Sequence, residues 1–301
     1  VATFRATGAD RFERAQEWWR AVTAEAIVRD DVDEPGTGPI AFGSMAYSRR
    51  SETESVLVVP EVVVGRRGGL AWVTTTTTDA TVPPADEPLT PQPAPTSPGE
   101  VDFIDRDLDA PSWALAVEEA VARISAGALD KVVLARAVQA SASRRIDPRW
   151  VLTRLAEDYD TTWVFAVDGL VGATPEMLVR LERGLVTSRV LPGTIRRTED
   201  DSHDLALAGS LARSSKDLEE HEYAVRSLAD ALAAHTSSIN VPDSPFVLHL
   251  NNVMHLATDV AGVVDDRSTS LALAASLHPS AAVCGTPTRD ADDVIAELEQ
   301  M

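Results

Sequence analysis

Cysteine is almost missing from this sequence. Cys284 is the only one in 301 residues, so no intrachain disulfide can form, and a reducing compartment is expected. Basic residues are scarce, with 27 Lys and Arg against 47 Asp and Glu, a net charge of −20. Nucleic acid and anionic membrane surfaces both demand basic patches, so neither is an expected partner. No apolar run reaches the roughly 18 residues that a bilayer-spanning helix needs. No signal-peptide pattern opens the sequence, and a cytoplasmic location is expected. There is no Gly-rich phosphate loop, no G-x-S-x-G elbow, no H-E-x-x-H and no zinc-spaced Cys/His set. Common kinase, hydrolase and dehydrogenase readings lose weight accordingly.

What is present suffices for a sizeable core, since 44% of the residues are hydrophobic. Residues 10–30 read as an amphipathic helix, followed by strand-like runs at 39–47, 55–67 and 70–78. Residues 79–102, dense in Pro, Thr and Ala, read as a linker or long mobile loop between an N-terminal portion (1–78) and a larger region (103–301). In that region, 110–127 reads as a helix with Pro111 in its first turn and Gly127 at its C-terminal end. Residues 130–140 read as a strand buried on both faces. A helix at about 147–158 precedes strands at 162–167, 170–173, 176–182 and 185–190, with Asp-Gly and Arg-Gly turns. One long helix is predicted over about 202–235, then strands at 246–250 and 253–264, and helices near 268–277 and from about 290. The pattern is mixed α/β with many hairpin-connected strands.

The segment "SSKDLEEHEYAV" (214–225) carries acids in an unexpected place. A helix turns about 100° per residue. With Asp217 at zero, Leu228, His221, Leu232, Val225 and Leu218 fall between about 20° and 100°. Asp217 therefore lies inside an apolar stripe and Glu220 at its edge, while Glu219 and Glu222 face solvent. A buried carboxylate is costly unless paired, hydrogen-bonded or bound to metal. A salt bridge or a solvated helix end satisfies that condition; so does an oxygen-ligand site for a hard cation such as magnesium.

Other residues carry similar alternatives. Lys131 opens "KVVLARA" and is either a strand-end lysine reaching solvent or a partly desolvated general base. Glu176, after the Gly-Ala-Thr-Pro turn, is either an exposed strand-end acid or a proton donor in an apolar setting. "RVLPGTIRR" (189–197) is a surface loop, or a local concentration of cations with the Gly193 and Thr194 amides facing a carboxylate. His255 sits among apolar strand neighbours, a setting that is more often structural. "SLHPSAAVCGTP" (276–287) is a small-residue loop that a ligand could approach closely.

Taken in order, "KVVLARA", "VGATPEMLVR", "LPGTIRR", "SSKDLEEHEYAV", "VMHLATDV" and "LHPSAAVCGTP" resemble the chorismate-utilising enzymes over about residues 105–301. The resemblance implies an α/β (α+β) fold with two antiparallel sheets packed face to face and ringed by helices. It implies chorismate as substrate and Mg²⁺ as cofactor; a monomer is expected, though the sequence does not fix the oligomeric state. Residues 103–301 would be the catalytic core. Glu220 and Asp217 would hold the metal, Lys131 would be the general base and Glu176 the general acid. Substrate contacts are implied at Gly193, Thr194, His255, Ala282 and Gly285. His278-Pro279 with Ala282 is similar to the wording of isochorismate synthases, the entry to menaquinone or catechol siderophores; salicylate synthases tend to carry Phe-Pro and threonine there. Ser280 and Ala281 depart from the usual Thr-Pro. The sequence starts on Val1 within a strand-like run. It stops before the family's Tyr-x-Gly-x-Val-Gly segment, its substrate-binding arginine and its second metal-binding glutamate, so an incomplete chain is expected, and one truly ending at Met301 is expected to be inactive.

Overall fold

The computed structural model describes residues 1–79, 90–198 and 200–299. Part of the Pro/Thr-rich stretch expected to be a linker over 79–102, residues 80–89, lies outside the described residues. The chain divides into two compact units, Val1–Thr96 with Phe165–Val171, and Ser97–Val164 with Gly172–Met301.

In the first unit, β1 (Ala2–Ala6) is followed by α1 (Arg11–Glu25), then β2 (Phe42–Ser44), β3 (Ser55–Val59), β4 (Val62–Arg67) and β5 (Leu70–Thr75). Pro60 divides the expected run 55–67, because proline cannot donate to a strand ladder. β3 pairs antiparallel with β1 and β2, and β4 with β5. The expected helix over 10–30 stops at Glu25, where Ala26 turns extended.

The second unit starts with β6 (Val101–Asp105), α2 (Ala110–Ser125), β7 (Lys131–Val132), β8 (Val138–Ala142) and α3 (Pro148–Asp158). The hairpin β9 (Trp163–Val167) and β10 (Leu170–Thr174) is divided between the units. Then follow β11 (Met177–Glu182), β12 (Leu185–Val190), β13 (Thr194–Arg196), α4 (Asp201–Leu211), α5 (Ser215–Ala233), β14 (Thr236–Asn240), β15 (Phe246–His249), β16 (Val253–Val264), α6 (Ser270–Leu277), β17 (Gly285–Thr286) and α7 (Thr288–Leu298). The Asp-Gly and Arg-Gly turns form as expected. Both residues of each have positive φ, 48° and 91° at Asp168-Gly169 and 52° and 82° at Arg183-Gly184, which suits the twist of the flanking strands.

Among the described residues the registered strand pairings are antiparallel, and β16 organises the largest sheet. It pairs with β12, β13, β14 and β15, and six of its twelve residues are buried with only two exposed, as befits a central strand. Helices α5 and α6 cover this sheet. Ala224, Leu228 and Leu232 of α5 pack with Leu273 and Leu277 of α6 on Val186, Val190 and Val260. Burying each such Leu or Val contributes about 1.5–3 kcal/mol. Ala208 and Leu211 of α4 cluster with Met254 and Leu256 of β16.

Two expectations need correction. The helix predicted over 202–235 is two helices, broken at 212–214. The Arg213 and Ser214 amides bond back to Ser210 and Leu211, and the Ser214 hydroxyl then caps α5 by accepting from the Asp217 amide. The strand predicted over 130–140 is not continuous or buried on both faces. β7 is two residues long and pairs only with β17, β8 pairs with β6, and Ala135–Ser141 are exposed. β14 lies where no element was expected.

Candidate active site

The acids of α5 divide as the helical wheel requires. Asp217 and Glu220 are half-buried, Glu219 and Glu222 are exposed, and His221, Ala224, Leu228 and Leu232 are buried. The Ser214 cap sets the first turn, so Asp217 and Glu220 stand one turn apart on neighbouring positions.

His221 anchors that face. Its Nδ1 lies 3.1 Å from the Pro192 carbonyl and its Nε2 2.7 Å from Thr258 Oγ1. A carbonyl only accepts, so Nδ1 carries the proton and Thr258 donates to Nε2. Burial pushes the imidazole pKa down and favours this neutral form, while the Pro192 carbonyl and Glu220 oppose the shift. The ring thus joins α5 to the Pro192-Gly193 turn and to β16. Sequence reasoning placed His221 on the apolar stripe and assigned it no role.

Lys131 reaches this cluster from β7. Its side chain is 13% exposed; Nζ donates to the Ala281 carbonyl at 3.1 Å and forms an ion pair with Glu220 Oε1 at 3.2 Å. The strand-end lysine therefore turns inward. Its placement depends on β17, which pairs Gly285 with Val132 and Thr286 with Lys131. Gly285 has φ +152°, and a Cβ there would fall 2.1 Å from the Lys131 carbonyl oxygen and 2.7 Å from Ala291 Cβ. Only glycine permits so close an approach of the two backbones.

Glu176 follows the β10 end, its amide bonded to Thr174 Oγ1 at 3.1 Å. Burial pushes its pKa above the usual carboxylate range, and the Lys131 charge pulls the other way. Glu176 and Lys131 therefore sense each other electrostatically. Glu176 lines a small cleft of about 240 Å³, counting its solvent-open part, with Ser188, Ala224, Leu228, Ser280 and Ala282. Neither Lys131 nor Glu220 lines it.

The remaining residues are placed differently. Gly193 lies beside α5: a Cβ added there would sit 3.4 Å from Asp217 Cβ, and its carbonyl accepts from the Leu256 amide. Thr194 pairs with His255 across β13 and β16, with Thr194 Oγ1 2.9 Å from His255 Nδ1. Burial lowers the His255 pKa, opposed by the Gly193 backbone. The three arginines of 189–197 do not gather into one cationic cluster. Arg189 pairs with Asp259, and Arg197 with buried Asp204, while Arg196 is exposed.

Among the described residues no group of three or more His, Cys, Asp or Glu side chains could hold a metal ion. Asp217 and Glu220 are two carboxylate-bearing residues three positions apart on α5.

The family model for chorismate binding enzymes matches residues 1–301. The chain belongs to the chorismate-binding enzyme family. It is 34% identical over 199 residues to isochorismate synthase MenF of Bacillus subtilis (strain 168), covering 65% of this chain and 42% of that protein. It is 35% identical over 195 residues to isochorismate synthase DhbC of the same strain, covering 61% and 49%. A solved Bacillus anthracis structure named DhbC superposes with a TM-score of 0.76 at 28% identity, covering all of this chain and 74% of that one. This family member thus spans about half the length of the curated relatives it matches. No helix among its described residues is long and apolar enough to cross a membrane.

Proposed function

We propose that this protein is an isochorismate synthase, with residues 103–301 as catalytic core, acting on chorismate in menaquinone or siderophore synthesis. The observation that carries the reading is the convergence of Lys131 on Glu220 at 3.2 Å, with Glu176, an acid raised by burial, within the field of the same lysine.

The reaction adds water at C2 of the substrate ring, shifts the ring double bonds and expels the C4 oxygen as water. In its neutral form, released from the ion pair with Glu220, Lys131 takes the proton of the attacking water. Glu176 gives a proton to the departing C4 hydroxyl. The raised pKa of Glu176 keeps it protonated to higher pH than an ordinary glutamate, which suits a proton donor. Burial of Lys131 limits competing bulk water around it.

The donor chemistry of Asp217 and Glu220 fits a magnesium ion, which proteins often hold by one or two carboxylates with other oxygens completing the shell. These two residues would hold the ion, which when bound offsets the negative charge of a substrate carboxylate. Glu220 is engaged by Lys131 in the structure, so the two cations compete for it. Gly193, Thr194, His255, Ala282 and Gly285 are the proposed substrate-contacting positions.

Incubation of the full-length protein with chorismate and Mg²⁺, with products separated by chromatography, tests the proposal. Isochorismate alone is expected. Salicylate with pyruvate would reassign the reaction, and recovery of unchanged chorismate would remove the enzymatic reading.

A further inference from the structure

A second set of residues has catalytic geometry and no part in the site above. His235 follows α5, Asp266 follows β16 and Ser276 lies in the last turn of α6. His235 Nδ1 is 2.7 Å from Asp266 Oδ2, and His235 Nε2 is 2.8 Å from Ser276 Oγ. The three residues come from positions 31 and 41 apart in sequence, so the arrangement is tertiary and not a local turn.

The hydrogen bonds assign the protons. A carboxylate accepts, so Asp266 holds the imidazole proton on Nδ1 and leaves the Nε2 lone pair facing the Ser276 hydroxyl. The competing acceptor for that hydroxyl, the Ala272 carbonyl, is farther at 3.2 Å. Asp266 is itself held by Ser268, whose amide meets Oδ1 at 2.8 Å and whose hydroxyl meets Oδ2 at 2.7 Å. Ser268 and His235 together hold the Asp266 pKa down at about 2, so the carboxylate stays charged. Ser268 Oγ also lies 3.0 Å from His235 Nδ1. Arg267, between Asp266 and Ser268, has φ +58°, a conformation uncommon for a side-chain-bearing residue. Ser276 is solvent-exposed and accessible to a reagent.

We propose that Ser276, oriented by His235 and Asp266, is a surface nucleophile for small activated esters and fluorophosphonates. In the ester reaction, Ser276 Oγ attacks the carbonyl carbon and its proton passes to His235 Nε2. The bond from that carbon to the leaving oxygen breaks, and the leaving group takes the proton from His235. Water then attacks the acyl-serine, gives a proton to His235, and the serine oxygen recovers it as the acid is released. A fluorophosphonate reacts by the same first step, losing fluoride and leaving a stable phosphonyl-serine.

The test is labelling of the protein with a biotinylated fluorophosphonate, followed by peptide mapping by mass spectrometry. The label is expected on Ser276 in preference to the exposed Ser202, Ser215 and Ser237. It should vanish in Ser276→Ala and fall about a hundredfold in His235→Gln, the scale for losing a positioned base. Thermal melts confirm that each variant is folded. An unlabelled Ser276 in the wild type, or labelling spread evenly over exposed serines, overturns the proposal whatever the variants do. So does full labelling of a folded His235→Gln. Chorismate turnover is not involved, so failure here leaves the proposed synthase reading untouched.

Discussion

Gly285→Ala is the substitution with the most direct structural consequence. The new Cβ would meet the Lys131 carbonyl oxygen at 2.1 Å, while ordinary contact begins at 3.4 Å. The backbones of β7 and β17 must then separate by the difference, 3.4 − 2.1 = 1.3 Å. The 2.7 Å contact with Ala291 Cβ blocks relief toward α7. Overpacking costs about 1–3 kcal/mol. A non-glycine residue at φ +152° adds about 1–3 kcal/mol of backbone strain. A total loss of about 2–6 kcal/mol is therefore expected, read by urea unfolding at unchanged m-value. Lys131 sits on the displaced strand, and a shift near 1 Å at a reacting group costs about a hundredfold in rate. Chorismate turnover by the folded fraction should fall by that factor. A variant with wild-type stability and wild-type turnover would refute the argument that β17 positions Lys131 through this contact.

Lys131→Ala and Glu176→Gln should each fold and lose at least about a hundredfold in kcat, measured with chorismate and Mg²⁺. Glu176→Gln should also be at least as stable as wild type at neutral pH. The folded state binds the Glu176 proton more tightly than the unfolded chain, so this group's stabilising contribution is present at low pH and is lost as pH rises through the raised folded value. Thermal melts across about pH 4–8 should show the variant gaining on wild type toward the alkaline end. His221→Ala removes the imidazole partner of both the Pro192 carbonyl and the Thr258 hydroxyl and should cost about 2–4 kcal/mol in chemical denaturation. Leu232→Ala, at a fully buried position, should cost about 2–5 kcal/mol with turnover of the folded fraction retained.

Local chemistry accounts for the parts of the fold that were legible in the sequence. The Asp168-Gly169 and Arg183-Gly184 turns announce their hairpins, because each carries a glycine, which takes positive φ without penalty. The apolar stripe of 217–232 announces which side of α5 is buried, and hence that Asp217 and Glu220 are set apart from Glu219 and Glu222. The unread parts depend on distant partners. The helical period runs through residues 212–214, and only Ser214 bonding forward to Asp217 marks a new start. β7 keeps two residues of an apolar run because β17 gives it a partner only there. β14, Thr-Ser-Ser-Ile-Asn, has too few apolar residues to signal a strand and is held by β16. His221 was visible as a buried ring, but its partners lie 29 and 37 residues away. Likewise, nothing local foretells that Lys131 meets Glu220 across the fold.

The central claim is that water enters the ring on the Lys131 side while the C4 oxygen leaves under protonation by Glu176. Turnover of unlabelled chorismate in water enriched in ¹⁸O, followed by mass spectrometry of the product, tests it most directly. The account predicts isochorismate carrying one solvent oxygen, at the C2 hydroxyl. Isochorismate formed without solvent oxygen would contradict it.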